Sequence, residues 1–165
     1  VENVEIALEI RGMARVSRRS QAEELIERVG LRGFEDHYPH ELSGGMRQRA
    51  NIIRTLIYDP ELILMDEPFG PLDAQTRIVL QDELLKLWST TKKTIIFITH
   101  DLIEAITLAD RVVLMSSRPG RIKAIEQVDI ARPRDVFKIH QSEQFRAVYE
   151  NLWRELRPEV KLAEA

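Results

Sequence analysis

The sequence predicts an α/β fold with a parallel sheet, because short apolar runs alternate along the chain with segments of helical periodicity. The apolar runs occupy residues 62–65, 94–99 and 112–115, and each has the length of a buried strand. Apolar residues with helical spacing fill the intervals, over residues 74–88 and 102–109. Strands that alternate with helices in this way form βαβ units, whose strands run parallel in one sheet.

The remaining elements follow from the same rules. Helices are predicted over residues 21–29, 43–57 and 142–156, and a further strand over residues 122–130. Residues 4–10 alternate between apolar and polar, which taken alone favours a strand. The basic residues 15–19 predict a loop, with Ser20 as the N-cap of the helix that follows.

The composition is that of an ordinary globular domain, and it excludes several functions. The 165 residues are 44% hydrophobic and 31% charged, and a net charge of −3 provides no electrostatic attraction for nucleic acid. Without cysteine the chain has neither disulfides nor a thiol nucleophile, which fits a reducing compartment. No apolar run reaches the roughly 18–20 residues that span a bilayer. The chain begins at Val1 without a signal peptide, and we expect this start to be a truncated one.

Two adjacent acids follow the first apolar run. Asp66 and Glu67 stand where that strand ends, and parallel sheets bind ligands at the carboxyl ends of their strands. Neighbouring carboxylates repel each other unless a cation compensates, and Mg²⁺ takes one or two carboxylates together with phosphate oxygens. The second acid would then be free to deprotonate a water molecule. The alternative is a structural role at a helix start, where the helix dipole favours negative charge.

His100 follows the next strand in the same way. Because successive parallel strands end at one edge of a sheet, the pattern places His100 near Asp66 and Glu67. An imidazole there could donate to a phosphoryl oxygen on which negative charge develops. A lone histidine is more often structural, so this interpretation depends on its position.

Ser43, Gly44 and Gly45 open a predicted helix. A helix start has free backbone N–H groups, and two glycines let a phosphate approach them closely. Taken alone, the segment is more typical of a serine N-cap followed by flexible residues.

Together these segments form a fingerprint. Residues 42–49, 62–68, 72–73 and 99–101 have the order and spacing of a signature motif, Walker B motif, D-loop and H-loop. The chain resembles the ATP-binding-cassette (ABC) ATPases over its whole length. This resemblance implies part of a P-loop NTPase fold, with helices on both faces of a parallel sheet and a helical subdomain. Met46, where the family most often has glutamine, is similar to the importer subfamily for nitrate, sulfonate and taurine.

The resemblance also implies a role for each motif residue. Asp66 would position Mg²⁺, Glu67 would be the general base, and His100 would contact the γ-phosphate of ATP. Contacts with ATP held by the opposite subunit would come from Ser43, Gly44, Gly45 and Met46. Asp73 would cross the dimer interface and help to align the partner's site.

The same resemblance divides the chain and identifies what it lacks. Residues 1–41 would belong to the helical subdomain, residues 42–130 to the ATPase core, and residues 131–165 to a C-terminal helical tail. No Gly-x-x-x-x-Gly-Lys-Ser/Thr loop occurs in the sequence, and that loop supplies most of the grip on ATP. We therefore expect these 165 residues alone to bind ATP poorly and to be inactive.

The implied function is that of the ATP-hydrolysing subunit of an importer. Its partners would be a second ATP-binding subunit, in a homodimer, and a transmembrane permease, on the cytoplasmic side of the cell membrane. The alternative is a non-transport ABC ATPase that acts on nucleic acid or ribosomes. Such proteins usually carry coiled-coil arms or a strongly basic insertion, and neither is present in this sequence.

Overall fold

The computed structural model describes residues 1–163 and confirms a mixed α/β chain with a small parallel sheet. The helices are α1 Glu2–Ile10, α2 Arg15–Arg28, α3 Gly44–Leu56, α4 Ala74–Thr91, α5 Leu102–Leu108 and α6 Glu143–Ala163. The strands are β1 Leu62–Asp66, β2 Thr94–Ile98, β3 Arg111–Met115 and β4 Ile122–Gln127. Short 3-10 turns at Pro39–Glu41 and Ile139–Gln141 precede α3 and α6. None of the helices in this part of the chain combines the length and apolar character needed to cross a membrane.

Strands β1 and β2 pair in parallel, as predicted, with helix α4 as the connection between them. Leu62 is aligned with Thr94 at one end of the pair, and Asp66 with Ile98 at the other. Because the two strands end together, the residues that follow them emerge at the same edge.

Strand β3 does not pair with β1 or β2 within residues 1–163, so the predicted parallel arrangement is confirmed for β1 and β2 alone. It pairs antiparallel with β4 in a second two-stranded sheet. The connection between them is a tight turn, closed by a hydrogen bond of 2.8 Å from Ser116 N–H to the carbonyl of Arg121. A short turn joins antiparallel strands, whereas a parallel partner requires a longer crossover.

The prediction of buried strands is confirmed for one face of β1 and is wrong for the other. On β1, Ile63 and Met65 are 1% and 8% exposed, whereas Leu62 and Leu64 are 48% and 71% exposed. Helices α3 and α4 pack against the buried face of β1 and β2. The described residues therefore place helices on one face of this sheet, not on both.

Helix α1 occupies the segment whose alternation alone favoured a strand. Val4 and Leu8, one helical turn apart, are buried, while Ile6 and Ile10 on the other side are exposed. Val4 and Leu8 thus lie on the buried face of a helix, and the packing of α1 against α2 and α3 selects the helix over a strand.

The predicted loop at residues 15–19, with Ser20 as N-cap, is wrong because α2 already begins at Arg15. Arg18 lies 3.6 Å from Glu5 of α1, and Arg19 pairs at 2.9 Å with a carboxylate one turn later in α2. Arginine is a good helix former, and these partners give the basic run a helical arrangement.

Three groups of buried side chains form the core. The first lies between α1, α2 and the C-terminal half of α3, and the second between α3, α4 and the parallel strands. The third lies between α5, β3 and α6. Helix α3 contributes to the first two groups, so the position of its N-terminus depends on both.

Candidate functional site

The carboxyl edge of the parallel strands carries the two predicted acids. Asp66 is the last residue of β1 and is exposed. Glu67 follows it with φ of 43°, in the left-handed region that residues with a side chain seldom adopt. Its N–H donates to the carbonyl of Ile98 at 2.9 Å, which continues the sheet pairing by one residue. A left-handed residue other than glycine costs of order 1–3 kcal/mol, and such residues cluster at functional sites.

The structure brings Glu67 and His100 into direct contact. Nδ1 of His100 lies 3.0 Å from Oε1 of Glu67. The hydrogen bond to Glu67, reinforced by the charge of that carboxylate, raises the pKa of His100. Both side chains are largely open to solvent, at 76% exposure for His100 and 51% for Glu67. The two proposed catalytic side chains therefore form an accessible acid–imidazole pair.

Asp66 is the predicted metal ligand, and its surroundings limit the kind of site it can form. Within residues 1–163, no three histidine or acidic side chains are arranged to hold a metal ion. Mg²⁺ bound with a nucleotide needs only one or two carboxylates, because phosphate oxygens and water supply the other ligands. A single exposed carboxylate fits that arrangement and does not fit an all-protein metal cage.

The predicted signature residues lie at the start of α3. Ser43 is the N-cap, and its Oγ accepts a hydrogen bond of 3.3 Å from Met46 N–H. Ser43 and Gly44 are exposed, while Gly45 and Met46 are half-buried. Met46 packs against the helical core formed by α1, α2 and α3.

The glycines of this segment approach the start of α4 within the same chain. A Cβ added at Gly45 would lie 2.8 Å from Cγ2 of Thr76, and one at Gly44 would lie 3.7 Å from Cδ2 of Leu72. Only glycine fits at position 45 without displacing its neighbour. The close approach places the start of α3 beside the predicted D-loop.

Asp73, the predicted D-loop acid, is the N-cap of α4. Its Oδ1 accepts from the N–H groups of Gln75 and Thr76, and its Oδ2 accepts from the Thr76 hydroxyl at 2.6 Å. The hydrogen bond from that hydroxyl is the main cause of a lowered pKa for Asp73. Within the described chain the carboxylate thus fixes the start of α4.

Sequence reasoning assigned no role to three residues that connect these groups. These residues are Arg77, Thr99 and Glu104, and they form a network between α4 and the loop that carries His100. Glu104 had a usable signal, because Asp101-x-x-Glu104 is the spacing of an N-cap followed by an acid in the first turn. Arg77 had none, since its partners lie on another element.

Comparison with known proteins agrees with the sequence motifs. The family model described as ABC transporter matches residues 2–70. The chain is 56% identical over 135 residues to an ABC transporter ATP-binding protein of Methanocaldococcus jannaschii, with 82% of this chain and 51% of that protein covered. It is 51% identical over 122 residues to the taurine import ATP-binding protein TauB of Yersinia pestis, with 74% and 48% covered.

A second taurine import ATP-binding protein, from Rhizobium johnstonii, is 46% identical over 132 residues, with 80% of this chain and 50% of that protein covered. The chain thus spans about half the length of the curated relatives it matches. These similarities indicate the same family as the order of the motifs, and the pairing of Glu67 with His100 is consistent with it. The chain belongs to the family of ABC transporter ATP-binding proteins.

Proposed function

We propose that the protein containing this chain is the ATP-hydrolysing subunit of an ABC importer with a complete P-loop NTPase fold. The observation that carries the proposal is the pairing of Glu67 with His100 at the carboxyl edge of the parallel strands. Glu67 adopts a left-handed backbone conformation there, which costs free energy of folding. An exposed ion pair with a purely structural role stabilises the fold too little to offset that cost, so a functional role explains the conformation better.

In this proposal Glu67 accepts the proton of the water that attacks the γ-phosphate of ATP. Its Oε1 is held by His100, which leaves Oε2 for the water. Because Nδ1–H of His100 donates to Glu67, Nε2 can donate to a phosphoryl oxygen when the ring carries both protons, and the carboxylate beside it raises the pKa of His100 and so favours that form. Mg²⁺, when bound with ATP, would be held by Asp66 and would neutralise charge on the phosphates.

The second half of each ATP site is proposed to come from a partner subunit in a homodimer. Ser43, Gly44, Gly45 and Met46 present the positive end of helix α3, which is suited to a phosphate. Asp73 lies directly beside this segment and would reach the same interface. An isologous two-fold arrangement follows if each subunit needs the other's helix start.

The importer assignment is supported by the names of two relatives. Both are named as taurine import ATP-binding proteins. We propose a transmembrane permease subunit as partner, with residues 1–41 in the helical subdomain that docks on it, residues 42–130 in the ATPase core and residues 131–165 as a tail. The protein would lie on the cytoplasmic side of the membrane, and these 165 residues alone would not hydrolyse ATP.

The test is Glu67→Gln in the complete protein that carries this chain. Glutamine has nearly the same shape but cannot take the proton, so kcat should fall by about 10²-fold or more. Binding of Mg-ATP, measured by calorimetry, should persist. The exposed Glu61, just before β1, provides the matched control Glu61→Gln, which should hydrolyse ATP normally. Turnover near the wild-type rate in Glu67→Gln would remove Glu67 from this role.

A further inference from the structure

Arg77 on helix α4 touches two loops that the proposed reaction needs. Its Nη2 donates to the carbonyl of Leu72, the residue before Asp73, at 3.2 Å. On the other side, its Nη1 lies 3.6 Å from Oδ2 of Asp101, the residue after His100. One guanidinium therefore spans from the D-loop segment to the loop that carries the imidazole.

Glu104 provides the second anchor for Arg77. Its side chain is only 6% exposed, and its Oε1 lies 3.7 Å from Nε of Arg77. Its Oε2 accepts a hydrogen bond of 2.7 Å from the hydroxyl of Thr99. A carboxylate this far from water is costly unless it is paired, so Arg77 and Thr99 together keep it in place.

Both neighbours of His100 in the chain are held by this network. The Thr99 hydroxyl donates to Glu104 and accepts from the N–H of Asp101 at 3.0 Å. The Asp101 carboxylate in turn accepts from the N–H of Ile103 at 2.8 Å and faces Arg77. With its two flanking residues fixed, the backbone of His100 has little freedom, although its own side chain is exposed.

We propose that Arg77 is a positioning residue, which sets the loop carrying His100 at a fixed distance from the segment carrying Asp73. The inference rests on the proposed function, because it assigns these two loops to one reaction. A displacement of a reacting group by about 1 Å can cost 10²-fold in rate, so a link between the loops has a direct kinetic consequence.

The chemistry requires arginine at this position. A planar guanidinium presents five N–H donors in a fixed fork and can face three acceptors at once, whereas an ammonium is a point charge on a flexible stem. Lysine at position 77 would keep the positive charge beside Glu104 but could not also hold the Leu72 carbonyl and Asp101. Arg77→Lys therefore separates the positioning role from simple neutralisation of a buried acid.

The experiment compares Arg77→Lys, His100→Ala and the double variant in the complete protein. Single-turnover ATP hydrolysis, Mg-ATP affinity and thermal unfolding are measured for each. We expect Arg77→Lys to lower the hydrolysis rate about tenfold, with the affinity for Mg-ATP and the unfolding temperature close to those of the unmodified protein. The matched control is Lys86→Met on the same helix, which removes a surface pair with Asp82 and should leave hydrolysis unchanged.

The double variant decides whether Arg77 acts through the imidazole. If it does, Arg77→Lys should add no further loss once His100 is alanine, because residues that act as one unit are not additive. An unchanged rate in Arg77→Lys, a full additional loss in the double variant, or a loss explained by lower stability would each overturn the inference. A normal rate in His100→Ala would instead refute the proposed role of the imidazole, and the inference with it.

Discussion

The close contact between Gly45 and Thr76 leads to a quantitative prediction for Gly45→Ala. The new Cβ would lie 2.8 Å from Cγ2 of Thr76. Carbon atoms pack best at about 3.5–4.0 Å, so the methyl group would be roughly 1 Å too close. Thr76 cannot turn away freely, because its hydroxyl donates to Asp73 at 2.6 Å and a β-branched side chain is stiff at χ1.

Two opposing terms set the size of the effect. Forcing an extra carbon into a packed contact costs about 1–3 kcal/mol. Alanine gains at most about 1 kcal/mol over glycine from helix propensity, and less in the first turn of α3. We therefore expect a net loss of about 1–2 kcal/mol in the free energy of unfolding. For a protein of 150–250 residues that corresponds to a fall of about 2–8 °C in Tm.

The assay is thermal unfolding of the complete protein without nucleotide, so that any role of Gly45 in ATP binding does not enter. Thr76→Ser keeps the hydroxyl bonded to Asp73 but removes Cγ2. The double variant should therefore recover most of the stability that Gly45→Ala loses relative to Thr76→Ser alone. Gly44→Ala is the matched control, because its Cβ would meet Leu72 at an ordinary 3.7 Å and should not lower Tm.

Two results would refute this reasoning. One is a Tm for Gly45→Ala equal to that of the unmodified protein. The other is equal destabilisation by Gly45→Ala in the presence and absence of Cγ2, which would show that Thr76 is not the obstacle. A similar fall in Gly44→Ala would point to a general intolerance of side chains at this helix start.

Hydrogen bonds from Lys123 and Ser117 lower the pKa of Glu159 to about 2. The ionised carboxylate of Glu159 stabilises the fold at pH values above its unfolded pKa near 4.5, and this stabilisation is lost as the pH falls toward 2. Glu159→Gln should therefore destabilise the protein at neutral pH. The difference in urea midpoint between this variant and the unmodified protein should shrink below about pH 4.5. Glu150→Gln, at an exposed position of the same helix, is the control variant. A difference for Glu159→Gln that stays constant across this pH range would contradict the pairing. Arg134, which is 7% exposed, donates to five backbone carbonyls, so Arg134→Met should lower the free energy of unfolding by at least about 2 kcal/mol in urea titrations. A loss below about 0.5 kcal/mol would show that water replaces the guanidinium.

The motif residues could be selected from the sequence because their chemistry depends on local order along the chain. Asp66 ends β1, Glu67 follows it and His100 follows β2, so the parallel pairing of β1 with β2 places them at one edge of the sheet. The positive φ of Glu67 could not be predicted, since nothing in its neighbours calls for a left-handed residue. It arises where the chain leaves β1 and is held by a hydrogen bond to β2.

The helix bounds show the limit of periodicity. Residues 4–10 fit both a strand and a helix by pattern, and only contact with α2 and α3 decides between them. The start of α2 was missed for a related reason, because Arg18 is stabilised by an acid on α1 and not by its own segment. In both cases the deciding partner is distant in sequence.

What the sequence determined by itself was the α/β class, the pairing of the first two strands and the set of candidate site residues. These depend on spacing within short segments, which a single chain displays directly. The tertiary structure alone decided the partner of β3, the exposed face of β1 and the contacts of Arg77. Pairing, burial and salt bridges across elements depend on which surfaces meet in space, and those contacts have no fixed spacing along the chain.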